Sequence, residues 1–231
     1  MPGDEQDQQQ NENESQRQED MPIVACVTVG PFQENCYLYA CPRTREAVII
    51  DPGDEAESIL ETITQLQLIP RYIVNTHGHI DHIGAIDAIH EVYPVPLAIH
   101  ADDVPMYTDE RVARQFGKEA PLVRMKPDIL LKEGDRLTFG TLSLEVLETP
   151  GHTRGGICLL SQPYCIFSGD TLFHRGIGRT DLEGGSYEQI VASIRQKLYT
   201  LDDELVVFPG HGGPTTIIEE KYENPFVNVE E

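Results

Sequence analysis

Thr76-His77-Gly78-His79-Ile80-Asp81-His82 is the stretch that decides how this chain is read. Three imidazoles and a carboxylate fall between positions 77 and 82, directly after Arg71–Asn75 (RYIVN), a short run that reads as a buried strand. Imidazole and carboxylate suit zinc, iron or manganese. Side chains at i and i+2 leaving a strand end can converge on one ion, with Gly78 letting the turn tighten. Asp81 and His82 open the next helix and can reach a second ion. An aspartate there is also placed to act as a helix N-cap, which is the plain structural reading of Asp81 taken alone.

Working outward, the same context recurs three times. His152 lies in Thr149-Pro150-Gly151-His152-Thr153, Asp170 in Ser168-Gly169-Asp170-Thr171, and His211 in Pro209-Gly210-His211-Gly212. Each follows an apolar, strand-like run and sits beside glycine or a turn. Singly, each reads equally well as a loop histidine or turn aspartate. Together with the first segment they make seven metal-ligand candidates: His77, His79, Asp81, His82, His152, Asp170 and His211.

The rest of the chain alternates strand-like and helix-like segments. Short β-rich runs cover Ile23–Val29, Tyr37–Ala40 and Ala47–Asp51, the last closed by the turn Pro52-Gly53-Asp54. Ile59, Ile63 and Leu66 repeat at helical spacing, and Ile83, Ile86 and Ile89 predict a second helix ending before Pro94. Further strands are predicted at 97–100, 129–131, 137–139, 142–147, 157–160, 164–167 and 205–208, with a helix over Ser186–Leu198. Residues 101–127 are charged and proline-punctuated, a helical excursion or loop. Strand-rich halves with helices between them fit an α/β sandwich, although this pattern alone leaves many α/β folds open.

Residues 1–20 carry seven acids against one arginine and almost nothing apolar, so they predict a disordered acidic tail before a domain over 21–231. The tail supplies −6 of the net charge of −22 and leaves −16 on the remainder. Such a surface repels phosphate backbones and disfavours nucleic-acid binding. An anionic substrate would need local positive charge from metal ions and a few arginines. No signal peptide, transit peptide or membrane span is evident, which predicts a cytoplasmic protein with no membrane association. The five cysteines are scattered, without a C-x-x-C pair, and read as reduced thiols.

The ordered set H-x-H-x-D-H, single His, Asp, final His resembles the metallo-β-lactamase superfamily over residues 22–226. That resemblance implies an αββα sandwich of two mixed sheets flanked by helices. It implies two divalent metal ions, zinc first with iron or manganese as alternatives. His77, His79 and His152 would hold one ion, and Asp81, His82 and His211 the other, with Asp170 between them. The flanking words GPFQENCYLY (30–39), DPGDEA (51–56), GDTLFHRGIGRTDLEGGS (169–186) and FPGHGGPTTIIEEKYENPF (208–226) resemble compact, single-domain glyoxalase II-like hydrolases.

The resemblance implies hydrolysis of a small-molecule thioester such as S-lactoylglutathione by a metal-bound hydroxide, with Asp81 and Asp170 in the catalytic centre. Arg179 matches a position that faces the glutathione part of the substrate, and His174 and Arg175 lie where they could line the mouth. Asp51 reads either as the group that orients a ligand histidine or as a plain turn residue. His90 and His100 read as structural. Longer glyoxalase II enzymes complete the glutathione pocket with a helical C-terminal domain, whereas twenty residues follow His211 here. Thioester hydrolysis is therefore favoured and the carrier thiol stays open, as do the acyl group and the oligomeric state. Rival readings are a persulfide dioxygenase with one non-haem iron, a lactonase or β-lactamase, and a metal-binding scaffold without turnover.

Overall fold

The computed structural model describes residues 21–108, 114 and 123–229. The acidic stretch 1–20, read above as a disordered tail, lies outside the described residues, as does part of the 101–127 excursion.

Two six-stranded sheets carry the architecture. The first contains β1 (Ile23–Val29), β2 (Glu34–Ala40), β3 (Glu46–Ile50), β4 (Ile69–Val74), β5 (Leu97–His100) and β6 (Ile129–Leu131), adjacent in that order. β1 to β3 are antiparallel and β3 to β6 parallel. The second contains β7 (Arg136–Phe139), β8 (Leu142–Glu148), β9 (Ile157–Ser161), β10 (Cys165–Gly169), β13 (Val206–Pro209) and β14 (Thr215–Thr216), in the order β14-β13-β10-β9-β8-β7. A small hairpin, β11 (Leu172–Phe173) with β12 (Gly176–Ile177), follows β10.

The period-two geometry of a strand explains the layering. In β2, Cys36, Leu38 and Ala40 face one way, while Tyr37 and Tyr39 face the other with Cys41 just past the strand's end. Both faces are buried, so the strand reads as a continuous apolar run rather than an alternation. The inner faces meet through Tyr39, Val48 and Ile50 from the first sheet and Val146, Leu159 and Phe167 from the second. Tyr39 meets Phe167 edge-on at 5.1 Å, and each such fully buried large side chain contributes about 1.5–3 kcal/mol.

Helices cover the outer faces, and a further short one, α4 (Val104–Thr108), comes after β5. On the first sheet, α1 (Ala56–Gln65) buries Ile59 and Ile63, and α3 (Ile86–Val92) buries Ile86 and Ile89, each set spaced for one helix face. On the second, α5 (Tyr187–Gln196) buries Ile190 and Ile194, and α6 (Ile217–Glu223) buries Ile217. Ser186 caps α5 by accepting the N–H of Gln189 at 3.3 Å. The result is the expected αββα sandwich.

One local expectation changes. The helix predicted through Ile83–Ile89 is two short pieces, α2 (Ile80–Ile83) and then α3, so His79 takes the N-cap position and Asp81 sits in the first turn instead of capping it. After His211 the chain makes β14 and α6, which the acidic composition of that end had hidden. Cys36 and Cys41 face opposite sides of β2, and all five cysteines are free thiols.

Strand direction then places the site. β3 and β4 run parallel, β2 runs against them, and β8, β10 and β13 share one direction. The start of β2 and the ends of the other five strands therefore open on a common edge, where Thr76 O accepts the N–H of Ile157 and joins the two sheets.

Candidate metal centre

All seven sequence candidates meet at that edge. His77, His79 and His152 bring ring nitrogens within 4.8 Å of one another, as do a carboxylate oxygen of Asp81 and ring nitrogens of His82 and His211. Asp170 lies between the groups: Oδ1 is 3.4 Å from His82 Nε2, and Oδ2 is 3.5 Å from His152 Nε2 and 3.6 Å from His211 Nε2. His77, His79, His82 and His152 are buried.

What lies behind the rings fixes which nitrogen faces the centre. His77 Nδ1 is 3.1 Å from Thr76 Oγ1, whose own proton goes to Asp51 Oδ2 at 2.6 Å, so the imidazole donates. His82 Nδ1 is held by Asp51 Oδ2 at 3.1 Å, His152 Nδ1 by the carbonyl of Arg179 at 2.8 Å, and His211 Nδ1 by the carbonyl of Phe32 at 3.1 Å. In these four rings Nε2 is left to face the cluster. His79 is the exception and turns Nδ1 inward, 2.8 Å from His152 Nε2.

The cluster leaves polar atoms unsatisfied. His77 Nε2, His82 Nε2 and Asp170 Oδ1 are buried without a hydrogen-bond partner. Buried polar atoms are ordinarily paired, because an unpaired one costs about 1–3 kcal/mol. Unpaired imidazole nitrogens and a carboxylate oxygen gathered in one buried cluster are the donors that borderline divalent cations take. The residues therefore fit a dinuclear metal site.

Without cations the charges push hard on one another. Burial, reinforced by His82 and the other rings, holds His77 well below the ordinary histidine range. Burial and His152 bring His79 down to about 3. Burial would also lower His82, but the Asp170 and Asp81 carboxylates outweigh it and hold this ring well above its usual value. Asp170 is depressed in turn: burial opposes its ionisation, and His82, His152 and His211 overcome that.

Gly210 must be glycine, since a Cβ there would strike Asp170 Oδ1 and come within 2.8 Å of His82 Cε1. Asp51, weighed above between two readings, is buried and takes the orienting one: it also accepts the backbone N–H of Thr76 at 2.7 Å.

Two buried acids were not singled out in the sequence. Asp103 accepts the N–H groups of Gly78 at 3.0 Å and Gly155 at 2.7 Å, tying the His77–His79 turn to the His152 loop. Glu34 starts β2 beside Gly53 with neither oxygen hydrogen-bonded, 3.7 Å from His82 Nδ1, and burial pushes its carboxyl well above the usual range. Only strand pairing brings either acid to the site, so no local motif could have shown them.

Arg179 contributes its carbonyl to His152, while its exposed guanidinium pairs with Asp181 at 2.8 Å. His174 and Arg175 turn to α6 and pair with Glu219 and Glu223. His100 pairs with Glu148 at 3.1 Å.

The superfamily profile for metallo-beta-lactamases matches residues 29–211, spanning every one of the seven candidates. The chain belongs to the metallo-beta-lactamase superfamily. Within this superfamily it is 36% identical over 208 residues to hydroxyacylglutathione hydrolase GloC of Haemophilus influenzae, covering 89% of this chain and 98% of that protein. The crystal structure of the B3 metallo-beta-lactamase BLEG-1 superposes with a TM-score of 0.83 at 37% identity, covering 89% of this chain and 99% of that one. That of TTHA1623 in a di-iron-bound form gives 0.80 at 39% identity, covering 88% and 100%. Both structures superpose on the two-sheet, helix-flanked architecture described above. No helix among the described residues is long and apolar enough to cross a membrane.

Proposed function

We propose that this protein is a metal-dependent hydrolase acting on a thioester of the hydroxyacyl type. The observation that carries the proposal is the gathering of unpaired, buried ring nitrogens in two adjacent groups with the Asp170 carboxylate between them, the outward nitrogen of four of the rings being already committed to the protein. His77, His79 and His152 would hold one ion, Asp81, His82 and His211 the second, and Asp170 would reach both. Bound there, divalent cations lower the pKa of water toward about 7 and polarise a carbonyl oxygen.

The chain's own residues set the conditions for that chemistry. Asp51, Thr76 and the carbonyls of Arg179 and Phe32 lock the ring orientations, so little reorganisation is needed when charge develops on the substrate. Asp103 holds the two ligand-bearing loops at a fixed separation. A thiolate leaves readily, so its departure needs less help from a general acid than an amine would. The thioester reading is supported by GloC, named a hydroxyacylglutathione hydrolase, and by the Arg179 segment, whose backbone is bonded to a ligand ring. The likeness to BLEG-1 supports β-lactam hydrolysis as a second reading on the same metal chemistry.

The test measures metal content and S-lactoylglutathione hydrolysis on the same sample, purified without added metal. Near two metals per chain with turnover, abolished by chelation and reduced at least 100-fold by Asp170→Ala, is the expected result. Full activity in metal-stripped protein would overturn the proposal, and turnover of a β-lactam alone would transfer it to the second reading.

A further inference from the structure

Beside the metal centre lies a groove of about 740 Å³ that none of the seven candidates lines. Its walls include His100, Asp102, Arg154, Gly184, Ser186 and Gln189. Asp102 and Arg154 line it, and their chain neighbours Asp103 and Gly155 are hydrogen-bonded, with Asp103 also holding Gly78, so the groove adjoins both ligand-bearing loops. Arg154 is two residues from His152, at most about 7 Å along an extended chain. A molecule reacting at the metals can therefore rest its far end here.

The groove carries two charged side chains that are paired neither with each other nor with any other described residue. On a protein of net charge −22, Arg71, Arg124, Arg136, Arg175 and Arg179 each hold a carboxylate. Among the described residues Arg154 holds none and makes no hydrogen bond from its side chain. The Asp102 carboxylate is equally unpaired, although it lines the same groove, whereas Glu148 there is already engaged by His100 and the N–H of Glu133. Opposite charges that line one groove without pairing leave room for a group bearing both. Gly184, at φ +90°, packs on the Arg154 stem, and a Cβ there would lie 3.3 Å from Arg154 Cγ, so glycine is what lets the guanidinium lie in the groove.

We propose that this groove binds the zwitterionic α-amino-acid end of the substrate, its carboxylate on Arg154 and its ammonium at Asp102. A guanidinium recognises a carboxylate bidentately, and the first turn of α5, starting at the same wall, adds to the positive field. This deepens the thioester proposal by naming the remote part of the substrate, and as a binding site it is tested without turnover.

The experiment titrates zinc-loaded protein by calorimetry with S-methylglutathione, an unreactive thioether with a free γ-glutamyl zwitterion, and with its N-acetyl derivative. The expected result is that Arg154→Ala and Asp102→Asn each weaken S-methylglutathione binding at least tenfold, with Arg154→Lys recovering part of the loss. N-acetylation should weaken binding similarly in the parent protein and leave Asp102→Asn unaffected. Binding within twofold of the parent in both variants, indifference to acetylation, or no binding by the parent would overturn it. If the parent hydrolyses S-lactoylglutathione while Arg154→Ala keeps its KM, this groove assignment fails and the thioesterase reading stands. If the parent binds the thioether through Arg154 and hydrolyses no thioester, the reverse holds.

Discussion

The Asp51 carboxylate stands 3.1 Å from Nδ1 of His82, on the far side of the ring from the nitrogen that faces Asp170. The same carboxylate takes the proton of Thr76 Oγ1, which leaves that oxygen to accept from His77 Nδ1. One buried acid thus sets the tautomer of two rings, one in each proposed metal group. Asp51→Ala should weaken metal retention by about 10- to 100-fold. Competition with a chromophoric chelator measures it, and Asp51→Asn, which keeps an acceptor oxygen, should lose less.

Gly210 tests the site by shape alone. Gly210→Ala places a methyl against Asp170 Oδ1 and His82 Cε1 while leaving every candidate ligand in the sequence. The expected outcome is a fall of at least tenfold in activity and in metal content, with the far-ultraviolet circular dichroism unchanged. Retained metals at normal activity would show that the loop shifts to make room.

The metal-free protein should lose stability in acid before its surface carboxylates titrate. His77 and His79 are neutral in the fold well below the pH at which they take up protons when unfolded, near 6.5. Between about pH 6.5 and 3 the unfolded chain therefore binds more protons, and stability falls as pH drops through that window. Glu34 and Asp103, both raised by burial, work the other way above their unfolded values near 4.5 and 3.8, so two imidazoles oppose two carboxyls. His82 is raised, and its contribution is fully present below 6.5, so it adds no slope there. The net effect should be smaller than the two imidazoles alone would give, and is read as a lower urea midpoint at pH 5 than at pH 7 in chelator-treated protein. Protein loaded with metal should show the loss only once the metals are released.

Glu34 is a buried acid with no hydrogen-bond partner, next to Asp51 and Asp81. Removing its charge should relieve a desolvation cost, so Glu34→Gln is expected to stabilise metal-free protein by about 1–3 kcal/mol. Thermal denaturation in chelator at pH 7.5 checks this, and an unchanged or lower Tm would mean that the carboxyl is already neutral or serves the fold.

Much of the site was legible along the chain because each candidate ligand sits where a strand leaves the sandwich, and such junctions carry local signatures. An apolar run, a glycine or turn, then His or Asp marks His77, His152, Asp170 and His211 without knowledge of the fold. The fully buried strands likewise announce themselves as unbroken apolar runs, and Ile59 with Ile63, or Ile190 with Ile194, mark helix faces by their spacing. The seven candidates and most of the longer strands and helices followed from the chain alone, whereas β11, β12, β14, the separate α2 and α6 did not.

Tertiary structure decided what no local pattern encodes. It determined that Asp81 enters the first turn of a helix and leaves the N-cap to His79, that Asp51 holds His82, and that Glu34 lies beneath the same ring. It also placed Asp103 between the two ligand loops and left Arg154 and Asp102 unpaired across one groove. Each of these is a contact between segments distant along the chain, or a choice between two local conformations of similar energy. Strand register and packing of the two sheets settle such choices, because a buried polar group must find its partner wherever the fold brings one.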